Sequence, residues 1–386
     1  MRILEIREKT IPLGGHLRNA VVSFNDHTVS LVALLSDQIR GGKPVIGFAF
    51  NSIGRFGQAG IINERLSERV INADELLDQE GHLSPSLVAT AAMKNEKPGG
   101  HGDRSGAVAA IELATWDLKA KLRDEPAYAT IASAFQRSLS AASTSVYAAG
   151  GYYYPGDSIE LLKTELREYL DQGYTAFKIK IGGASLDHDM HRIESALEIA
   201  GNSRALAVDA NGRFDLKQAL NYAKVIRHLN LRWFEEPGDP LDFQLNRLLI
   251  DEYQAPIATG ENLFSRIDSL NLMRFGGMRP DIDVFQMDPG LSYGLTEYAG
   301  ILTDLETAGF NRRQCRPHGG HLINLHIAVG LELGGCEAYP GVFQPFGGYS
   351  DACRVQEGWV TAPSAPGFGL ETKSELTHHL KELRGD

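Results

Sequence analysis

Alternating apolar and polar positions run through the first fifty residues and predict an antiparallel sheet. The alternating runs span residues 2–10, 20–24, 29–35 and 45–50. A period of two is typical of strands that bury one face. Apolar residues spaced three and four apart then predict helices over residues 61–77 and 103–122. Strands followed by helices indicate an α+β section at the start of the chain.

The pattern changes near Ser143, where short apolar runs begin to alternate with helical stretches. The runs span residues 144–149, 175–181, 206–208, 232–234, 257–258, 284–287 and 314–316. Asp215 and Gln218 form a predicted capping box for a helix over residues 216–229, and Ser265 opens a helix that stops at Gly276. This alternation is typical of parallel βα units. Seven or eight such units favour a closed barrel, and no Gly-x-Gly-x-x-Gly turn follows a first strand to suggest a dinucleotide fold.

The segment from about Val355 to the end does not continue this alternation. It contains an apolar run at residues 358–361, a stretch rich in proline and glycine, and a helical pattern over residues 374–383. We expect it to return to the N-terminal section.

Composition and charge narrow the class of protein. Of 386 residues, 43% are hydrophobic and 23% are charged, as in folded globular proteins. The net charge of −11 argues against a nucleic-acid partner, which would need a basic face. Three cysteines are too few for a disulfide framework and predict a reduced, cytoplasmic protein. The sequence contains neither an apolar leader nor a long apolar run, so we expect no signal peptide and no membrane span.

Polar residues stand where successive apolar runs end, and their spacing is regular. They are Lys178, Lys180, Asp209, Glu235, Glu261, Asp288, His318 and Glu337. From Lys180 to His318 the intervals are 26 to 30 residues, close to the ~31 residues of one βα unit in an eight-unit barrel. The side chains should therefore lie at one height, on the C-terminal rim where such barrels build their active sites.

Three of these residues are consecutive carboxylates, and they predict a metal site. Asp209, Glu235 and Glu261 would converge and would repel one another without a cation. Oxygen ligands suit a hard cation such as Mg2+. The alternative is that each acid caps the helix that follows its strand.

The remaining rim residues predict a base and an acid. Lys178-Ile-Lys180 places both lysines on one face of a strand, and a lysine beside another lysine and a metal has a lowered pKa that suits a base. Asp288 would orient His318. One alternative is that these are ordinary strand-end and loop residues. Another is a zinc cluster of Cys315, His318 and His321, for which the sequence offers no fourth ligand.

Further polar residues are candidates for supporting or binding roles. Asn211 and Glu337 either support the site or simply hydrogen-bond strand ends. Arg18, Asn51, Arg55 and the glycine-rich stretch at residues 94–102 lie in the N-terminal section. They would select the substrate if that section caps the barrel mouth, and would otherwise be turn residues.

The order Lys-x-Lys, Asp, Glu, Glu and then an Asp/His pair resembles the mandelate racemase branch of the enolase superfamily. The resemblance implies an α/β fold, a (β/α)7β modified TIM barrel with an α+β capping domain. It implies a capping domain over residues 1–140, a barrel over 141–354 and a C-terminal segment over 355–386 that returns to the cap. It also implies one Mg2+ per subunit on Asp209, Glu235 and Glu261, and a homo-oligomer.

Longer motifs are similar to those of the D-tartrate dehydratases within that branch. They are Asn51-Ser-Ile-Gly-Arg-Phe56, Asn95-Glu-Lys-Pro-Gly-Gly-His-Gly102, Ala149-Gly-Gly-Tyr-Tyr-Tyr-Pro155, Val208-Asp-Ala-Asn-Gly-Arg-Phe214 and Arg316-Pro-His-Gly-Gly-His321. The resemblance implies a hydro-lyase acting on a 2-hydroxy diacid, with D-tartrate giving oxaloacetate through an ene-diolate. The pair Pro289-Gly290 departs from the pattern that we associate with tartrate enzymes.

The same resemblance implies a role for each residue. Lys180 would remove the α-proton, and His318, oriented by Asp288, would protonate the leaving β-hydroxyl. Lys178 and Glu337 would assist, and Asn51 and Lys97 are the best candidates for holding the distal carboxylate.

Three alternatives remain open. A dehydratase or epimerase of the same branch could act on another hydroxy diacid or acid sugar. A small-molecule binding barrel without catalysis predicts the loss of a ligand or base, whereas every position is filled. A metal-dependent sugar isomerase predicts histidine among the metal ligands, and none stands at the three positions.

Overall fold

A computed structural model describes residues 1–15, 17–154, 156 and 159–385. Pro155, the last residue of the motif that begins at Ala149, lies outside the described residues. The strands are β1 (Ile3–Pro12), β2 (Thr28–Arg40), β3 (Lys43–Phe50), β4 (Ser143–Ala149), β5 (Phe177–Lys180), β6 (Leu206–Asp209), β7 (Phe234–Glu235), β8 (Ile257–Thr259), β9 (Val284–Phe285), β10 (Cys336–Ala338), β11 (Val355–Gln356) and β12 (Trp359–Thr361). The α-helices are α1 (Ala59–Ile61), α2 (Ser67–Ile71), α3 (Pro85–Ala92), α4 (Asp103–Leu122), α5 (Ala127–Ala134), α6 (Ile159–Asp171), α7 (Leu186–Ala200), α8 (Leu216–Ile226), α9 (Phe243–Tyr253), α10 (Arg266–Phe275), α11 (Leu295–Thr307), α12 (Leu322–Gly330) and α13 (Thr377–Arg384).

The N-terminal section is an antiparallel meander in the order β1, β2, β3, with the helix α4 packed against it. The strand predicted over residues 20–24 is wrong. Asn19 Oδ1 accepts hydrogen bonds from the backbone N–H groups of Val21 and Val22, each at 2.8 Å. These local bonds replace a strand ladder and fold the segment into a tight loop, whose ends meet in a single bridge between Arg18 and Ser23.

The two helices predicted in this section have different outcomes. α4 covers Asp103–Leu122 as predicted, and most of its length is buried. The helix predicted over residues 61–77 is interrupted and shorter. It comprises α1, a π-helical turn at Ile62–Leu66 and α2, and it ends at Ile71. A bridge between Leu77 and Leu83 takes the chain in a new direction before α3.

Parallel strands β4 to β9 follow one another around a barrel, and β10 pairs with β4 to close it. The predicted strand over residues 314–316 is reduced to a bridge between Phe285 and Cys315. The reason is local, because Asn311 and Gln314 form a capping box around a 3-10 turn at Arg312–Gln314. The closed (β/α)7β barrel and the separate N-terminal sheet confirm the predicted fold class.

The register of the barrel strands determines the height of the polar side chains. Lys180 pairs with Asp209, and Asp209 pairs with Glu235. Because side chains alternate along a strand, Ala207 and Trp233, two positions before Asp209 and Glu235, point to the same interior. They belong to a small apolar cluster that also contains Tyr147, Ala176, Ala258 and Val284. The charged residues therefore lie on an apolar floor inside the barrel.

The C-terminal segment contacts both halves of the molecule. β12 pairs antiparallel with β4 of the barrel, and α13 packs against β1 and β2. The boundaries near residues 140 and 354 stay predictions. Within the described ranges, every helix is too short or too polar to cross a membrane.

Candidate active site

The three predicted metal ligands converge at the barrel rim. Asp209 ends β6, Glu235 ends β7, and Glu261 follows β8 after Gly260. One carboxylate oxygen from each lies within 4.8 Å of the others. The helices that follow these strands are capped by Asp215, Asp242 and Ser265 instead. The helix-capping alternative for the three acids is therefore wrong, and the predicted caps at Asp215 and Ser265 are confirmed.

The electrostatics of this cluster fit a divalent cation. Burial and the charge of Asp209 raise the pKa of Glu235 to about 8. Glu261 Oε2 is buried and has no hydrogen-bond partner among the described residues. A buried acceptor without a partner is costly, and a cation placed among three carboxylates would satisfy it. The donor set of oxygen atoms suits Mg2+.

Trp233 and Gln286 hold Glu235 from below. Trp233 Nε1 donates to Glu235 Oε2 at 2.8 Å, and Gln286 Nε2 donates to the same oxygen at 2.8 Å. Neither residue was predicted. These bonds leave the other oxygen to face the cluster and Lys178.

The two lysines of β5 have different surroundings. Lys178 is fully buried and contacts Glu235, Glu337 at 2.6 Å and Asp209 at 3.5 Å. Burial opposes its charge, but these carboxylates raise the pKa of Lys178 well above its usual value. Lys178 is thus paired with three carboxylates, and the lowered pKa expected for a lysine beside a bound metal stays a prediction. Lys180 instead lines the cavity, and its Nζ donates to Asp209 Oδ2 at 2.5 Å.

Asp209 is the link between the lysines and the acids. Burial opposes its ionisation, but the ammonium groups of Lys180 and Lys178 hold the pKa of Asp209 well below its usual value. The backbone N–H of Asn211 donates to Asp209 Oδ1 at 2.8 Å, and its side-chain amide lies 3.3 Å from Oδ2. The structure thus gives Asn211 a supporting position beside this carboxylate.

His318 lines the same cavity from the loop before α12. Its Nδ1 lies 3.0 Å from Asp288 Oδ2, and its Nε2 lies 3.7 Å from Glu261 Oε2. Burial opposes protonation, yet the charge of Glu261 and the bond to Asp288 raise the pKa of His318 to about 9. Because Asp288 is itself fully buried, the imidazole ring is oriented by a carboxylate with no access to water.

The N-terminal section that carries β1 to β3 and α4, called the capping section below, contacts Asp288 through Ser52. Ser52 hydrogen-bonds Asp288 and lies 3.0 Å from His321 Nε2. The backbone N–H of Gly290 donates to Asp288 Oδ1 at 2.8 Å. A Cβ on Gly290 would lie 2.8 Å from the Cβ of Ser52. The Pro289-Gly290 departure therefore provides the space through which Ser52 approaches the Asp288–His318 pair.

A cavity of about 120 Å³ opens between these groups. Of the predicted residues it is lined by Lys180, Glu261, His318, Asn211 and Arg55. Phe24, Tyr152, Tyr339 and Phe343 form an aromatic wall, with neighbouring ring centroids 4.9 to 6.1 Å apart. Arg55 donates to Asn262 Oδ1, and Asn262 in turn donates to Glu236 at 2.8 and 3.0 Å.

Three residues that were predicted to contact the substrate, Asn51, Arg18 and Lys97, do not line this cavity. Asn51 is buried, with its Oδ1 accepting from Ser30 N–H at 2.7 Å and its Nδ2 donating to Phe56 O at 3.1 Å. Both ends of that amide are committed to the backbone of the capping section. Arg18 lies over the ring of Tyr153 at 5.4 Å.

Lys97 lines a separate groove of about 500 Å³ beside Arg104 and Tyr293. Arg104 holds this loop through hydrogen bonds to the carbonyls of Lys97 at 3.2 Å and Gly99 at 2.6 Å. Asn51 and Lys97 therefore do not line the cavity, and the prediction that they hold the distal carboxylate of a substrate is corrected. Arg55 is the cation of the capping section that lines the cavity.

The zinc alternative does not fit the structure. Asp209, Glu235 and Glu261 are the only metal-ligand cluster found among the described residues. Burial raises the pKa of the Cys315 thiol to about 12, so this thiol is a poor metal ligand. The His321 side chain accepts from the backbone of Asn324 and caps α12.

The profile of the enolase C-terminal domain-like family matches residues 161–376, more than half of the chain. The chain belongs to the enolase superfamily. Among curated relatives of this superfamily member are an arabinonate dehydratase of Saccharolobus solfataricus and an L-talarate/galactarate dehydratase of Salmonella typhimurium. The first is 25% identical over 73% of this chain and 74% of its own length. The second is 26% identical over 94% and 87%.

Solved structures show the same fold. A racemase from Streptomyces coelicolor with bound magnesium superposes with a TM-score of 0.79 at 22% identity, covering 99% of both chains. An L-talarate/galactarate dehydratase crystallised with Mg and L-glucarate superposes with a TM-score of 0.77 at 20% identity, covering 95% of this chain and 89% of the other. The family match confirms the predicted superfamily, and these structures show its fold.

Proposed function

We propose that this enolase superfamily member is an Mg2+-dependent dehydratase of a short hydroxy diacid, with D-tartrate as the best candidate. One observation carries the proposal. Lys180, at the end of β5, and His318, between α11 and α12, line the same small cavity as Glu261. A base and an acid that approach one substrate from different sides suit removal of a proton and a hydroxyl from adjacent carbons.

Asp209, Glu235 and Glu261 would hold the Mg2+ ion, which supplies positive charge beside the substrate carboxylate. Lys180 removes the α-proton. Lys178, fixed by Glu235 and Glu337, adds a permanent positive charge where negative charge develops. His318, held by Asp288, then gives a proton to the leaving β-hydroxyl, and the enol product ketonises to a 2-keto acid.

The size of the cavity supports a short substrate. Its volume of about 120 Å³ is well below the ~300–1,000 Å³ of pockets for drug-sized ligands. The relatives named above include enzymes for longer acid sugars, such as galactarate. D-tartrate is the shortest aldarate that carries both an α-proton and a β-hydroxyl. Arg55, on the cap side of the cavity, is our candidate for the second carboxylate in place of Asn51 and Lys97.

Kinetics on a panel of acids test this function. Purified protein with Mg2+ is offered the tartrate stereoisomers, galactarate, glucarate and arabinonate, and 2-keto acid formation is followed. We expect oxaloacetate from D-tartrate and no activity after chelation of the metal. Turnover of the longer acids with none on tartrate would contradict the proposed substrate, and absence of any keto acid would contradict the dehydratase.

The same panel separates the alternative of an epimerase. An epimerase uses the same two groups but returns a proton to the same carbon, so the product is a stereoisomer and not a keto acid. If the protein is a binding barrel without catalysis, one of these acids should raise its melting temperature without being converted to either product. Location in the cytoplasm and assembly into a homo-oligomer stay predictions.

A further inference from the structure

Tyr339 contacts the ring nitrogen of His318 that faces the cavity. The phenol oxygen lies 3.0 Å from His318 Nε2, while Asp288 holds Nδ1 at the same distance. Both nitrogens of the imidazole are therefore engaged, one by a carboxylate behind it and one by a phenol in front of it. Tyr339 also lines the cavity beside Lys180.

The position of Tyr339 is determined by its neighbours in the sequence and by a glycine. It comes two residues after Glu337, just beyond the end of β10, and its backbone N–H donates to Gly320 O at 3.2 Å. A Cβ on Gly320 would lie 2.5 Å from Cγ of the Tyr339 ring. The second glycine after His318 therefore admits this ring, which also packs against Phe343 with centroids 4.9 Å apart.

The phenol group can both accept and donate a hydrogen bond. Burial raises the pKa of Tyr339 well above its usual value, so the group stays neutral. Its oxygen can accept the hydrogen on His318 Nε2, and its own hydrogen is then free to point at an oxygen atom in the cavity. The phenol therefore contacts the imidazole and lines the same cavity as the imidazole.

We propose that Tyr339 is a catalytic residue that passes the proton of His318 to the leaving hydroxyl, a role that presupposes the dehydratase proposed above. The bond between the β-carbon and oxygen breaks, and its electron pair stays on the oxygen. That oxygen takes the phenol hydrogen, and the phenol oxygen takes the hydrogen from Nε2. The imidazole loses one proton, one water molecule leaves, and the tyrosine is unchanged.

The decisive variant is Tyr339→Phe, which keeps the ring against Gly320 and removes the hydroxyl. Two rates are measured with D-tartrate in D2O: formation of keto acid, and exchange of the α-proton with solvent. We expect kcat for dehydration to fall about 100-fold, the lower end for loss of an acid–base group. KM and α-proton exchange should change little, because Lys180 performs the exchange alone.

The matched control is Tyr298→Phe, which removes another fully buried phenol hydroxyl, on α11 and outside the cavity. It should keep both rates. An unchanged kcat in Tyr339→Phe would overturn the relay. An equal loss of dehydration and exchange would also overturn it, because it would show general distortion of the site.

A second measurement does not depend on turnover. The NMR signal of the His318 ring is assigned by its loss in His318→Asn. It should move in Tyr339→Phe and stay in Tyr298→Phe, and a signal that does not move would overturn the contact itself. Failure of the proposed function would appear differently, as a wild-type protein that forms no keto acid from any acid in the panel.

Discussion

The two halves of the site are built in different ways. The half around Asp209, Glu235 and Lys178 comes from neighbouring barrel strands in direct register. The half around Asp288 and His318 is assembled from loops, with Ser52 contributed by the capping section. The first half is crowded with charge that a cation would balance. In the second, hydrogen bonds satisfy a single buried carboxylate.

This difference teaches where each half is vulnerable. Strand register fixes side chains through backbone hydrogen bonds that single substitutions leave intact. The loop-built half depends on close approaches of backbone to side chain, so a single added methyl group can disturb it. The following changes test that division, beginning with the largest expected effect.

Lys180→Ala should abolish both dehydration and α-proton exchange, because Lys180 is the one lysine that lines the cavity in the part of the chain that the structure describes. A loss of at least ~10²–10⁴-fold is typical for an acid–base group. Rates are measured in D2O, and folding is checked by thermal melting. Lys163→Ala, a change at a lysine on α6 that pairs with Glu198, is the control. Full activity of Lys180→Ala with Mg2+ present would contradict its role.

His318→Asn should abolish dehydration by a similar factor and leave α-proton exchange in place. The two halves of the site would then be shown to act in separate steps. His188→Asn, at an exposed position of α7, should leave both rates unchanged. If His318→Asn kept its keto acid production, the assignment of the acid would be wrong.

The strand-built half was largely predictable from the sequence. The spacing of Lys180, Asp209 and Glu235 along the chain implied a common height, and the strand register gives them that height. Tyr339 could have been found in the same way, because it comes two residues after Glu337 and shares its direction.

The loop-built half was less predictable. Ser52 and Gly290 meet across residues far apart in the chain, and no periodicity encodes such a contact. Asn51 looked like a substrate ligand from its motif, whereas its amide is used by the backbone of its own section.

Glu261→Gln should remove the effect of Mg2+ on thermal stability. A ligand present at 100 times its Kd stabilises the native state by ~2.7 kcal/mol, and the substitution removes one of three charges that would bind it. Melting is compared with and without Mg2+ for the wild-type protein, Glu261→Gln and Glu168→Gln, an exposed control on α6. An Mg2+-dependent shift that persists in Glu261→Gln would exclude this carboxylate as a ligand.

Gly290→Ala should have the smallest effect and is the most direct test of the loop-built half. The added Cβ would lie 2.8 Å from the Cβ of Ser52 and 3.3 Å from Asp288 Oδ1. Overpacking of this kind costs ~1–3 kcal/mol, and displacement of Ser52 would loosen Asp288 behind His318. Dehydration should therefore fall more than α-proton exchange, because Lys180 and the strand register are untouched. Gly60→Ala, where a new Cβ meets no atom within 4 Å, should be neutral in both rates and in melting. Equal losses of the two rates in Gly290→Ala would mean that the halves are mechanically coupled, since a contact behind one would then determine the geometry of both.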